Sequence, residues 1–148
     1  MDVLDLFDEM ERLELLGAVP LFAGLGVDDL ADIAEVTTIR SLGPGETVYR
    51  QGDPGGEMLV VVEGSGEVIH RHGSGSRRLA TLQPGSVVGE LAVLRGSARA
   101  ADVVAGPDGL VGLVIDAPTL DHILQERPGI ALAMLSALAE KLAAASVA

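Results

Sequence analysis

The sequence predicts a mainly β protein with flanking α: a jelly-roll-like β-roll with helices before and after it. Three observations carry that expectation. Between residues 36 and 116, short runs rich in Val, Thr and Leu alternate with turns containing Gly and Pro, the pattern of a roll or jelly roll. On either side of that stretch, apolar residues recur at helical spacing. Hydrophobic residues make up 48% of the chain and aromatics only 2%, so the core must be aliphatic. With 148 residues, the chain is expected to form one domain, 1–148, large enough to bury such a core.

The elements follow in order. N-terminal helices are expected within 3–35. In residues 3–16, Val3, Leu6, Met10 and Leu13 share a face opposite Asp5, Asp8, Glu9 and Glu11, which predicts an amphipathic helix. Its apolar face packs on its own domain or meets a partner. Gly17 to Gly26 is a turn-rich connector, and Asp28 is a candidate N-cap for a helix through Ala34. The roll, 36–116, is expected to hold eight strands: Val36–Leu42, Thr47–Tyr49, Met58–Val62, Glu67–His72, Arg77–Leu82, Ser86–Val88, Ala100–Val104 and Leu110–Ile115. Gly43-Pro44-Gly45, Gly52-Asp53-Pro54-Gly55-Gly56 and Gly73-Ser74-Gly75-Ser76 supply turns. C-terminal helices are expected over 117–146. Pro118 lies near the first turn of a helix through Glu126. Pro128 opens another, reaching about Ala145, with Ile130, Met134, Leu138 and Leu142 in one stripe and Leu135 beside it.

Composition narrows the function. Acids number 22 against 10 Lys and Arg, for a net charge of −12, which argues against a nucleic-acid partner. A small anion is still admissible, because distant carboxylates are screened beyond about 8 Å at physiological salt. Without cysteine there is no disulfide, Cys metal site or thiol chemistry. No secretory leader is evident. No apolar run is expected to span a membrane, since Glu140 and Lys141 interrupt the Ala-rich tail. A cytoplasmic location is the expectation.

Enzyme signatures are missing, and no catalytic residue or metal ligand is assigned. His70 and His72 share a strand face without an evident third ligand, which reads as a solvated hairpin, and His122 stands alone on a helix. There is no Gly-x-Ser-x-Gly nucleophile elbow. Gly64-Ser65-Gly66 does not complete a dinucleotide fingerprint, and no Walker lysine follows a glycine loop. The acids scatter over helix faces and turns.

One stretch carries chemistry: Gly-Glu-Leu-Ala-Val-Leu-Arg-Gly-Ser-Ala-Arg-Ala-Ala-Asp-Val, Gly89 to Val103. Backbone N–H groups at a short helix start near Gly89 and Glu90 are donors for a phosphate. Arg99 can add a bidentate, charge-assisted pair. Glu90, an acceptor, suits a sugar hydroxyl. The alternative reading pairs Glu90 with Arg99 in a roll that binds nothing.

The stretch resembles the phosphate-binding cassette of the cyclic nucleotide-binding domains of catabolite-type regulators, protein kinase A regulatory subunits and cyclic nucleotide-gated channels. Gly89, Glu90, Leu91 and Ala92 match the Gly-Glu-Leu-Ala of that family, and Arg99, Ala100, Ala101 and Val103 match its Arg-Ala-Ala-x-Val. Three positions depart from it. Val88 replaces an aromatic. Ala98 replaces a proline, which is expected to loosen the turn presenting Arg99. Asp102 replaces a threonine; on a strand it would face away from Arg99 and not compete for it. Segments at 19–25, 58–64 and 82–85 extend the likeness over roughly residues 18–145.

The resemblance implies a double-stranded β-helix roll, with its cassette at 88–103 and a C-terminal helical lid, that binds cAMP, or secondarily cGMP, as ligand and needs no cofactor. Arg99 would hold the cyclic phosphate and Glu90 the ribose 2′-hydroxyl. Backbone N–H groups of Leu91 or Ala92 and of Ala100 would complete the phosphate shell. Val88, Leu79 and Leu82 are candidates for the purine wall, and Leu138 or Leu142 for closure over the base. In cGMP-preferring relatives a Thr or Ser follows the cassette arginine; Ala100 here favours cAMP. The chain is then a sensor without its own effector domain, standing alone, as a homodimer, or fused to a transporter, channel or enzyme domain. Two rivals are a degenerate, non-binding roll used as an interaction or dimerisation scaffold, and a cupin-type enzyme lacking its metal set.

Overall fold

The computed structural model describes residues 9–145. In chain order the elements are α1 (Glu9–Gly17), a 3-10 turn (Pro20–Phe22), α2 (Val27–Val36), β1 (Thr38–Leu42), β2 (Thr47–Tyr49), β3 (Glu57–His72), β4 (Gly75–Leu82), β5 (Val87–Val88), α3 (Glu90–Arg95), β6 (Asp102–Asp116), α4 (Ala117–Glu126) and α5 (Pro128–Ala145). Contacts divide the chain into two compact units. Thr37–Ala117 forms the roll, and the segments before and after it form a helical unit.

In the helical unit, α1 meets α2 at two points: Gly17 faces Leu30, and Arg12 donates to the Ala34 carbonyl at 3.5 Å. Val3 and Leu6, with Asp5 and Asp8, lie outside the described residues. Met10, expected on the apolar face, is exposed, because the buried end of the helix is at Leu16. Helix α2 begins one residue before Asp28. The first carbonyl of that helix to accept is that of Gly26, from Leu30 N at 3.0 Å, so Asp28 and Asp29 act instead as first-turn acids against the helix dipole. Arg127 ties the α4–α5 junction to α2 through Asp29 at 2.7 Å and Asp32 at 2.6 Å.

Helix α5 packs on the Pro20–Phe22 turn, where Ala133 approaches Gly24, and buries Ile130 and Met134. Its 18 residues have a mean hydropathy of 1.3. By length and composition that reaches what a membrane crossing needs, contrary to the expectation from Glu140 and Lys141. Alanines supply much of the average.

The roll is one antiparallel sheet with the path β1-β6-β3-β4; β2 also pairs with β6, and β5 with β3. Six strands replace the eight expected, because two pairs of short runs fuse. Residues 57–72 run on through Gly64 (φ 78°) and a register shift between Gly64 and Gly66, so the strand bends without losing its partner. Residues 102–116 likewise continue through Gly106 and Gly109. Ala100 and Ala101 stay outside β6, and Val36 closes α2 instead of opening a strand.

Alternation along the strands builds the interior. Leu59 and Val61 of β3 join Tyr49, Leu82, Val88, Val103, Ala105, Leu110 and Val114 in one cluster, while Met58, Val60 and Val62 are buried on the opposite face. Gly112 admits the Leu59 side chain: a Cβ there would lie 2.6 Å from Leu59 Cγ.

Candidate functional site

The site is built where β5 ends. Gly89 follows Val88 with φ 83° and ψ 2°, a left-handed conformation that glycine adopts without penalty. This turns the chain directly into the six-residue helix α3. The first bond inside that helix is Val93 N to Gly89 O, at 3.1 Å. The N–H groups of Leu91 and Ala92 precede it, so the helix gives them no acceptor. Glycine is required at position 89 for a second reason. A Cβ would overlap Arg99 Nη1 and lie 3.0 Å from the Glu57 carbonyl oxygen.

Arg99 is held by a remote loop. Its N–H donates to Asp53 O at 2.8 Å, and its carbonyl accepts from Gly52 N at 2.9 Å. Ala98 forms an isolated β-bridge with Pro54. The turn expected to be loose without proline is therefore fixed by tertiary contacts. Gly55 makes this possible, since a Cβ there would stand 2.6 Å from the Ser97 carbonyl oxygen.

The Arg99 side chain is 6% exposed. Its Nη2 donates to the Glu57 carbonyl. Its guanidinium carbon lies 3.7 Å from the centre of the Tyr49 ring. Nε and Nη1 are buried with no hydrogen-bond partner among the described residues. Two unmatched donor nitrogens on a buried cation are costly unless an acceptor fills them.

Beneath Arg99 lies a polar chain. The Tyr49 hydroxyl donates to Glu57 Oε2 at 2.6 Å, and Arg40 holds the same carboxylate with two hydrogen bonds, that from Nη2 at 3.0 Å. Burial is the largest single influence on Glu57 and opposes its charge. The bonds from Arg40 and Tyr49, with the charges of Arg40 and Arg99, outweigh it and keep the carboxyl below its ordinary range. Burial first, then the bond to Glu57, pushes the Tyr49 phenol above its usual value.

Asp102 does not compete for Arg99, although the reason differs from the one expected. Arg99 lies in the loop before β6, not on a strand. The Asp102 carboxylate is occupied elsewhere, by Gln51 N at 2.7 Å and Arg71 Nε at 2.8 Å. The Gln51 bond is the chief reason its pKa is lowered.

Arg99 and Tyr49 line an open cavity of about 320 Å³ that lies wholly within the roll. Of the candidate residues from the sequence, Val88, Gly89, Glu90, Leu91, Ala92, Arg99, Ala100 and Leu79 line it. Leu82 does not. As the inward end of β4 it is 4% exposed and belongs to the roll core. Leu138 and Leu142 lie on α5, the latter exposed. Val103, the last residue of the motif, also lines the cavity, and Tyr49 and Val68 are lining residues that the local motif did not reveal. Tyr49 is fifty positions from Arg99, and its one distinguishing mark is being the single tyrosine of the chain. His70 and His72 stack, with ring centroids 5.9 Å apart, and among the described residues no His, Cys, Asp or Glu group could hold a metal.

The family described as "Cyclic nucleotide-binding domain" matches residues 39–127. The chain belongs to that family. The family is a regulatory, ligand-binding one, and the antiparallel roll with flanking helices is its fold. Among curated proteins, the chain is 38% identical over 87 residues to a cAMP-dependent protein kinase regulatory subunit of Mycosarcoma maydis, covering 59% of this chain and 17% of that one. It is 32% identical over 109 residues to acetyltransferase Pat of Mycolicibacterium smegmatis, covering 74% and 32%. The chain thus spans a third or less of either relative. Among solved structures, the N-terminal domain of a transcriptional regulator from Streptomyces coelicolor A3(2) superposes with a TM-score of 0.82 at 30% identity, over 90% of this chain and 96% of that one.

Proposed function

We propose that this cyclic nucleotide-binding domain is a cAMP sensor whose occupancy governs an output. The observation that carries the reading is Arg99: a buried cation on the cavity wall with two unmatched donors, beside the helix-start N–H groups of Leu91 and Ala92. A cyclic phosphate supplies the negative charge and acceptor oxygens that such donors call for. Glu90, 8% exposed and on the same wall, accepts the ribose 2′-hydroxyl. The Ala100 N–H completes the phosphate shell, and Val88 with Leu79 flanks the purine. Ala100 offers no hydroxyl to guanine, so cAMP binds in preference to cGMP. Likeness to part of a cAMP-dependent protein kinase regulatory subunit and to part of acetyltransferase Pat supports an output supplied by a joined domain; the expected location is the cytoplasm.

Calorimetric titration of the purified chain with cAMP tests the reading. Wild type should bind stoichiometrically. Arg99→Ala, still folded, should weaken binding by about 2–4 kcal/mol, since a hydrogen bond to a charged group is worth roughly 1.5–3 kcal/mol and a buried phosphate also loses its partner. Equal affinity in the folded mutant would remove the phosphate role. No cAMP or cGMP binding by wild type would leave the roll as a scaffold.

A further inference from the structure

Resting on that reading, we infer that Tyr49 and Glu57 are positioning residues for the phosphate-binding arginine: the Tyr49 ring, anchored by its hydroxyl on the Glu57 carboxylate, is the platform on which Arg99 lies. Three contacts converge on this. The guanidinium carbon is 3.7 Å from the Tyr49 ring centre. The face of an aromatic ring attracts a cation without using its N–H donors. Among the described residues the guanidinium donates one hydrogen bond, from Nη2 to the carbonyl of Glu57, the residue whose side chain accepts from the Tyr49 hydroxyl. Stacking plus one bond fixes the plane and rotation of the group while leaving Nε and Nη1 for an anion. A carboxylate in the place of the ring would have consumed those donors and weakened the site for phosphate.

Arg40 explains why Glu57 can serve here. A bare carboxylate under a phosphate site would repel the ligand. Arg40 meets both of its oxygens, so the anchor is locally neutral. The chain of contacts therefore runs from β1 through the start of β3 and the end of β2 to the cassette, joining residues 40, 57, 49 and 99.

The test uses two ligands, because positioning of Arg99 affects only the phosphate. Displacement assays with cAMP and with adenosine, which lacks phosphate, are run on wild type, Tyr49→Leu, Tyr49→Phe and Arg99→Ala. Tyr49→Leu should lose about tenfold or more in cAMP affinity, the scale of a desolvated cation–π contact, with adenosine unchanged. Tyr49→Phe keeps the ring and loses only its anchor, so its loss should be smaller; it also serves if Tyr49→Leu fails to fold. Wild-type cAMP affinity in both folded Tyr49 variants, with Arg99→Ala impaired, would overturn the inference while leaving the functional reading intact. Equal losses for cAMP and adenosine would also overturn it, by making Tyr49 a wall of the cavity and not a support for Arg99. Unimpaired cAMP binding by Arg99→Ala would end the functional reading, and this inference with it.

Discussion

Gly89 and Gly96 flank α3, and both are left-handed, with φ of 83° and 64°. Alanine at either position carries the left-handed penalty, roughly 1–2 kcal/mol. Their surroundings differ. A Cβ at Gly96 meets nothing within 4 Å, whereas one at Gly89 overlaps Arg99 Nη1 and stands 3.0 Å from the Glu57 carbonyl. A guanidinium ends a flexible side chain and can move aside, so the overlap should appear in stability as an increment of about 1 kcal/mol, short of a full charged hydrogen bond. The larger effect is on binding. A displaced guanidinium leaves the Tyr49 ring and no longer presents Nε and Nη1. Gly89→Ala should therefore lose about 2–3 kcal/mol of stability and at least about tenfold in cAMP affinity; Gly96→Ala should lose about 1–2 kcal/mol and bind as wild type. Urea denaturation with a check on constant m-value gives the first quantity, and calorimetry the second. Wild-type affinity in Gly89→Ala would refute the reasoning, as would an equal affinity loss in Gly96→Ala.

Other expectations follow from the same geometry. Glu90→Gln should weaken cAMP more than its 2′-deoxy analogue, because only cAMP offers the hydroxyl; equal losses would assign Glu90 a structural role alone. Glu57 titrates below its ordinary value when folded, so its ion pair contributes stability above the ordinary carboxyl pKa, near 4.3, and that contribution is lost as pH falls through the lower folded value. Glu57→Gln should flatten acid denaturation in that window, and an unchanged acid profile would contradict the pairing with Arg40. Tyr49 is the one tyrosine and there is no tryptophan, so absorbance of the phenolate reports this site alone. Its ionisation midpoint should lie above the free value near 10 and fall in Glu57→Gln, whereas an ordinary midpoint in wild type would show the hydroxyl to be free.

Local information was enough for much of this protein. The helices at 117–126 and 128–145 were legible from Pro118, Pro128 and the apolar stripe, because capping and periodicity act within a few residues. The Gly89 to Val103 run likewise announced its cavity wall, since Gly89, Glu90 and Arg99 act through a turn, a short helix and a loop that lie together in the chain. Tertiary structure decided the rest. Gly64 reads locally as a strand break, yet pairing with β6 carries β3 through it. Ala98 reads as a loosened turn, yet Pro54 pins it from 44 residues away. Leu79 and Leu82 look equivalent in sequence, but their places on β4 put one on the cavity and the other in the core. The support beneath Arg99 was beyond local reading for the same reason. Tyr49, Glu57 and Arg40 come from three different strands and meet only when β1 and β2 pair with β6 and β6 pairs with β3. Contacts of that kind depend on the register of distant strands, which no short stretch of sequence contains.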